Sequence, residues 1–160
     1  MVRVRKRIIH PDTQKEPAPE REWLDLENIA EVEITSEDSE FPVESALLPG
    51  NESGWRASLP GEQVLRLHFD MPQPVQFIRL HFHEGNSTRT QEYVLRCSSD
   101  GGESYQEIVR QQWNFSPDGA TEEIEEYTVD HEVLTDIELS INPDISGKES
   151  FVSLKSLRLA

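Results

Sequence analysis

The sequence predicts an all-β protein: an antiparallel β-sandwich of the jelly-roll type, with about eight strands and one short helix. Three features of the 160 residues support this prediction. Apolar and polar residues alternate in short segments, as they do in strands with one buried face. The segments are evenly spaced, and the turns between them are rich in Gly, Pro, Asn and Asp. Helical spacing of apolar residues is confined to residues 43–47.

The first predicted strand covers residues 30–36, where apolar residues alternate with acidic ones. Pro42 then favours the first turn of the short helix, because its ring fixes a helical φ. Two strands follow at residues 65–70 and 78–83, each with three apolar residues on one face. These residues are Leu65, Leu67 and Phe69, then Ile78, Leu80 and Phe82.

Residues 89–108 (RTQEYVLRCSSDGGESYQEI) predict two strands joined by a tight turn. Asp100-Gly101-Gly102 supplies a side chain that can cap its own backbone, followed by residues that accept positive φ. Residues 111–120 are predicted to be a polar loop with two exposed aromatic side chains. The remaining strands are expected around residues 124–129, 134–141 and 151–159.

In the strand around residues 124–129, Ile124, Tyr127 and Val129 mark the apolar positions. The acidic pairs at 122–123 and 125–126 are interpreted as solvated.

The hairpin, together with the Pro-x-x-x-Ala-Leu segment at 42–47 and a Gly-Asn loop that ends in Trp55, resembles the discoidin (coagulation factor type C) family. That resemblance implies a galactose-binding-like β-sandwich. We expect a single domain over residues 23–160. Residues 1–22 are expected to form an N-terminal arm and a proline-rich linker, packed on or beside that domain.

The net charge of −16 is unevenly distributed, since residues 22–160 carry −19. Such an acidic body repels phosphate backbones, so nucleic-acid binding is not expected. No apolar run is long enough to span a bilayer, and no secretory signal is visible. Cys97 is the single cysteine, which excludes an intramolecular disulfide. These features predict a cytoplasmic protein.

No cofactor is predicted. The resemblance implies that calcium could lie in the loop at residues 48–55, but Pro49 stands where the family usually has Asp, and the family's frequent Glu near the C-terminus is missing. Asn51 and Ser53 remain as weak candidate ligands. Because a hard cation needs several oxygen ligands, preferably charged, we expect no calcium site.

Three histidines are weak candidates for zinc. His81 and His83 share the polar face of one predicted strand, and His68 lies on the polar face of the preceding one. Arg66 and Arg79 lie beside them and would oppose a cation. We therefore expect no zinc site, and interpret the imidazoles as solvent-facing strand residues.

No arrangement of nucleophile and base, and no isolated pair of carboxylates, is evident, so the protein is not predicted to be an enzyme. By resemblance, carbohydrate is the first ligand class, bound by loops at one end of the sandwich. Sugar recognition uses an aromatic face and planar polar groups. Trp113 with Asn114, Trp55 with Arg56, and Arg89 supply these types.

Each of these residues has a structural alternative. Trp55 could pack against the sandwich, and Arg89 could pair with an acidic neighbour, whereas Trp113 has polar, loop-like surroundings. The function also has an alternative: an intracellular protein-interaction module or a subunit of a larger assembly. The resemblance includes such scaffolds, and the lack of a visible signal peptide favours them.

Overall fold

A computed structural model describes residues 22–50, 53–130 and 133–160, which contain ten strands and two short helices. The helices are α1 (Leu26–Ile29) and α2 (Glu44–Leu47). The strands are β1 (Ala30–Ile34), β2 (Trp55–Arg56), β3 (Gln63–Gln73), β4 (Phe77–His83), β5 (Arg89–Ser98), β6 (Gln106–Phe115), β7 (Glu122–Thr128), β8 (Leu134–Asn142), β9 (Ser153–Leu154) and β10 (Ser156–Leu159). No helix in the described ranges is long and apolar enough to cross a membrane.

The predicted all-β class is confirmed. The prediction of about eight strands and one helix omitted α1 and the two-residue strand β2, which are too short to show periodicity. The single strand predicted at residues 151–159 is two strands, β9 and β10. Residues 1–21, nearly all of the predicted N-terminal arm, lie outside the described residues. The boundary between arm and domain therefore stays a prediction.

The strands form two main sheets in which every neighbouring pair is antiparallel. One sheet has five strands in the order β1-β3-β8-β5-β6, and the other has three in the order β10-β4-β7. Strands β2 and β9 pair separately. The inner faces of the two main sheets enclose the core, as expected for a β-sandwich.

The predicted inward faces are buried. All six apolar residues assigned to the strands at 65–70 and 78–83 belong to the core, with Ile137, Leu139 and Ile141 of β8. Contacts between the sheets centre on Tyr93 of β5. Its ring stacks on Phe82 of β4 with centroids 5.0 Å apart, and its hydroxyl lies 2.5 Å from that of Tyr127 on β7.

Strand β7 departs from the predicted pattern. Ile124 is 57% exposed, whereas Glu123 is 0% exposed. The interpretation of residues 122–126 as solvated acids is therefore wrong for Glu123. Because Tyr127 faces inward to reach Tyr93, the two-residue period of the strand turns Glu123 inward and Ile124 outward.

The inward position changes the acidity of Glu123. Both carboxyl oxygens are buried and have no hydrogen-bond partner among the described residues. Burial, and then the nearby charge of Glu125, raise the pKa of Glu123 from the usual 4.5 to about 7, although Arg89 partly opposes the shift. The folded state therefore holds a proton on this carboxyl at pH values where the unfolded chain has released it.

This shift predicts that the stability contributed by Glu123 is present in full below about pH 4.5 and is lost as the pH rises through about 7. Replacement Glu123→Gln keeps a neutral side chain at every pH. We expect the variant to be more stable than the parent at pH 8, by up to about 3 kcal/mol, with the difference vanishing near pH 4. Chemical unfolding across pH 4–8 measures this. The exposed Glu31→Gln is the control, and a constant difference between Glu123→Gln and the parent would contradict the assignment.

The predicted hairpin turn is present between β5 and β6. Gly101 and Gly102 have φ of 78° and 86°, in the left-handed region that suits glycine. The carboxylate of Asp100 accepts hydrogen bonds from the Ser98 hydroxyl at 2.7 Å and from the Ser104 amide at 2.9 Å. The Ser104 hydroxyl also donates to this carboxylate. The hydrogen bond from the Ser104 hydroxyl, followed by those from the Ser98 hydroxyl and the Ser104 amide, lowers the pKa of Asp100 to about 2.

We expect Gly101→Val to lower the free energy of unfolding by about 1 kcal/mol or more, because a β-branched residue resists positive φ. An added Cβ at Gly101 would meet nothing within 4 Å, so the cost isolates backbone strain. Gly119 is the matched control, since it also has open space but no positive φ. Equal melting temperatures for Gly101→Val and Gly119→Val would show that the turn tolerates the larger residue.

Candidate functional site

A cleft of about 260 Å³ lies where the β4–β5 and β8–β9 loops meet strand β2. We call it the Phe151 cleft. Its lining combines one aromatic ring with charged and amide side chains. The lining residues are Arg56, Glu84, Asn86, Ser87, Lys148, Glu149, Ser150 and Phe151.

Phe151 is the most unusual residue of this cleft, because its ring is 41% exposed. No other aromatic residue in the described part of the chain is classed as exposed. Its neighbours fix it in this orientation. Ser150 and Val152 are buried, and their carbonyls accept hydrogen bonds from the amides of Gly61 and Ala57 at 3.0 and 2.9 Å. The ring is thus held outward by an ordered backbone.

Arg56 lies at the boundary of two clefts. Its guanidinium carbon lies 5.2 Å from the centroid of the Phe41 ring, a distance suited to a cation–π contact. It forms no ion pair within the described residues, so its donors face the clefts. The second cleft, of about 200 Å³, is named the His83 cleft. It is lined by Phe41, Ser53, Trp55, Arg56, His83, Ser153, Leu154 and Lys155.

Arg89 holds the loops of the Phe151 cleft together. Its side chain is fully buried and donates to Glu84 Oε1, Gln91 Oε1 and the Pro143 carbonyl, each at 3.0 Å. Its guanidinium carbon also lies 4.7 Å from the centroid of the Phe115 ring. Arg89 begins strand β5 and positions the loops from inside the protein.

Glu84 organises the β4–β5 loop. It accepts hydrogen bonds from Arg89 and from the Ser87 hydroxyl, both at 3.0 Å, and from the Asn86 amide at 3.3 Å. Burial alone would raise the pKa of Glu84, but these bonds outweigh it and lower the pKa. Glu84 is therefore ionised and fixed, and the loop presents Asn86, an exposed residue, to the cleft.

The tryptophans that the sequence singled out do not line the Phe151 cleft. Trp55 is 1% exposed and donates from Nε1 to the Ser36 carbonyl at 3.0 Å, so the structural alternative holds for it. Trp113 is half-buried against the core. The predicted loop is wrong for residues 111–115, because β6 stays paired with β5 as far as Phe115.

Asn114 is exposed and accepts a hydrogen bond from the Thr90 hydroxyl at 2.7 Å. It belongs to the β5–β6 ladder with Trp113, and neither residue lines a described cleft. Of the predicted ligand-binding residues, the structure brings only Arg56 and the edge of Trp55 to the clefts.

Sequence reasoning missed Phe151, Asn86 and Lys148. Of these three, only Phe151 could have been identified from the sequence. It precedes Val152 and Leu154, which face inward in the predicted strand, so strand alternation would turn Phe151 outward.

The three candidate zinc ligands are divided between the two main sheets. His68 of β3 contacts Asp136, and its Nε2 lies 2.6 Å from Glu33 Oε1. His81 and His83 belong to β4, where both lie near Glu122 Oε1, at 3.5 and 3.6 Å. His68 therefore does not share a sheet surface with His81 and His83. No cluster of three metal-ligating residues occurs within the described ranges.

Arg158 lies at the loop where the resemblance implied calcium. It donates from Nη1 to the Ala46 carbonyl at 2.7 Å and from Nη2 to the Leu48 carbonyl at 3.2 Å. Burial lowers the pKa of Arg158. Carbonyl oxygens are the groups that a calcium ion would use, and here a guanidinium contacts them. Ser53 is exposed, and Asn51 lies outside the described residues.

We expect millimolar calcium to leave the melting temperature of the parent unchanged, because Arg158 already satisfies these carbonyls. Replacement Arg158→Ala should lower the free energy of unfolding by about 1–3 kcal/mol, since buried acceptors lose their donors. Thermal unfolding with and without calcium tests both statements. A rise in the parent's melting temperature that a chelator reverses would contradict the first.

Comparison with known proteins places this geometry in a fold group. No protein-family model matches the sequence. No curated protein matches it either. Solved structures do match. The family 32 carbohydrate-binding module of NanJ from C. perfringens, solved in complex with galactose, superposes with a TM-score of 0.61 at 19% identity, covering 81% of this chain and 92% of the module.

The family 32 module of AlyQ, in complex with 4,5-unsaturated mannuronic acid, gives a TM-score of 0.62 at 19% identity, over 88% of this chain and 98% of that one. A pectin-binding carbohydrate-binding module gives 0.57 at 20% identity, over 82% and 89%. These likenesses show the fold. The protein has the galactose-binding-like β-sandwich fold that the resemblance implied.

Proposed function

We propose that this domain is a non-catalytic module that binds carbohydrate in the Phe151 cleft. The observation that carries the proposal is the outward ring of Phe151, held by a hydrogen-bonded backbone beside exposed polar groups. An exposed aromatic face is the usual platform for the C–H face of a pyranose. Asn86 and Arg56 line the same cleft and supply planar groups that can bond sugar hydroxyls.

Related folds support this proposal. The NanJ and AlyQ modules that share the fold were solved with sugars bound, and they superpose over most of their length. A fold hosts many functions, so the proposal depends on the site itself. At one end of the sandwich, the cleft combines one aromatic surface with a few polar groups, as small-ligand sites commonly do.

The chemistry of the cleft supports binding without catalysis. Glycoside hydrolysis generally needs two carboxyl groups, one of which must donate a proton. Glu84 and Glu149 are the carboxylates in the lining. Glu84 has a lowered pKa and accepts three hydrogen bonds, so it is unsuited to act as an acid.

Replacement Phe151→Ala tests the site. We expect it to weaken sugar binding by roughly 1–3 kcal/mol through loss of the stacking face, with little change in melting temperature. Ile145→Ala is a matched control, because Ile145 is a similarly exposed apolar residue of the same β8–β9 loop that does not line the cleft. Trp113→Ala should leave binding unchanged. A glycan array followed by titration calorimetry on the hits measures these effects.

Two outcomes would contradict the proposal. If Phe151→Ala binds every hit as tightly as the parent while Trp113→Ala does not, the ligand lies on the β5–β6 face that the sequence favoured. If the folded parent binds no glycan at all, the proposed function fails, and the alternative of a protein-interaction module takes its place.

A further inference from the structure

Three of the nine Lys and Arg residues in residues 22–160 line the two clefts that share Arg56. Residues 22–160 carry a net charge of −19 and contain two lysines, Lys148 and Lys155. Lys148 lines the Phe151 cleft, and Lys155 lines the His83 cleft. His83 adds an imidazole to the second. In a chain so rich in carboxylates, this placement needs an explanation.

The other arginines of the domain are occupied by protein groups. Five of them pair with glutamates at 2.8–3.2 Å; they are Arg66, Arg79, Arg89, Arg96 and Arg110. Arg158 bonds backbone carbonyls. Arg56 and Lys148 differ, because neither forms an ion pair within the described residues, although Lys148 interacts electrostatically with Asp144. Lys155 has only a distant one, Glu122, at 3.8 Å.

Carboxylates near the clefts offset the charge of the two lysines. Glu149 lines the Phe151 cleft with Lys148, and Asp144 also interacts electrostatically with Lys148. Glu122 Oε1 lies 3.6 Å from His83 Nδ1 and 3.8 Å from Lys155 Nζ. The charge of Glu84 is balanced by Arg89, whose Nε lies 3.0 Å from Glu84 Oε1. Arg56 is therefore the cleft cation without a carboxylate partner among the described residues, and an unpaired guanidinium on an acidic body is a place where an anion can bind.

We propose that the ligand is a sugar that carries a carboxylate, a uronic acid, with its anionic group at Arg56 and Lys148 and its ring on Phe151. This inference rests on the proposed carbohydrate-binding function and specifies the class of sugar. The Phe41 ring, 5.2 Å from the guanidinium carbon of Arg56, restrains this side chain, and a guanidinium can bind a carboxylate through two parallel N–H donors. Lys148 adds a second positive charge on the opposite loop.

The experiment compares trigalacturonate with its methyl ester, which has the same sugar rings without the charge, and with a sulfated galactose. Titration calorimetry at low and at high salt measures each affinity. We expect the acid to bind at least tenfold more tightly than the ester at low salt, with the advantage reduced at high salt by screening. Lys148→Gln should remove most of that preference and leave the weaker binding of the ester unchanged, whereas Arg56→Gln should remove the preference and also weaken binding of the ester, because Arg56 is proposed to bond sugar hydroxyls.

Arg110→Gln is the matched control, because Arg110 is exposed on β6, away from both clefts. Equal affinity of the parent for acid and ester would overturn this inference while the proposed function stands. Failure to bind these sugars or any other glycan would overturn both. Tighter binding of the sulfated sugar than of the uronate would overturn the carboxylate assignment. Persistence of the preference in both cleft variants would place the anion elsewhere.

Discussion

The buried guanidinium of Arg89 is the interaction on which the candidate site depends. It bonds Glu84 on the β4–β5 loop and the Pro143 carbonyl that begins the β8–β9 loop. Both loops line the Phe151 cleft. A charge without solvent must be paired and hydrogen-bonded, so removing either partner of the Arg89–Glu84 pair would leave an uncompensated ion in the interior. This requirement fixes two loops that have little apolar surface to hold them.

Glu123 is a buried carboxyl group for which the sandwich provides no hydrogen-bond partner among the described residues. Tyr93 and Tyr127 join the two sheets through their hydroxyls, and their register places Glu123 inside. The raised pKa of Glu123 limits the cost, because a neutral carboxyl is far less expensive to bury than a charged one. The inward packing of the two tyrosines thus determines which face of β7 is buried, even though this orientation also buries the carboxyl group of Glu123.

Ion pairing distinguishes the arginines that stabilise the fold from Arg56 at the candidate site. Most arginines in the described residues neutralise glutamates within the sheets, whereas Arg56 and Lys148, at one end of the sandwich, form no ion pair with any described residue. The acidic surface keeps other anions away, and the guanidinium of Arg56 provides the exception. Arg158 shows a further structural use, since it bonds the loop carbonyls for which a related fold could use an ion.

The sequence by itself determined the strands with strong two-residue alternation, such as 65–70 and 78–83, and the Asp100-Gly101-Gly102 turn, because periodicity and positive φ are local properties. Tertiary structure decided the site. Whether Arg89 is buried and whether Phe151 faces outward depend on which loops meet at one end of the sandwich. Trp113 illustrates the limit: its polar neighbours resemble a loop, yet pairing with β5 extends the strand through it. The residues around a position do not reveal which distant strand will pair with it.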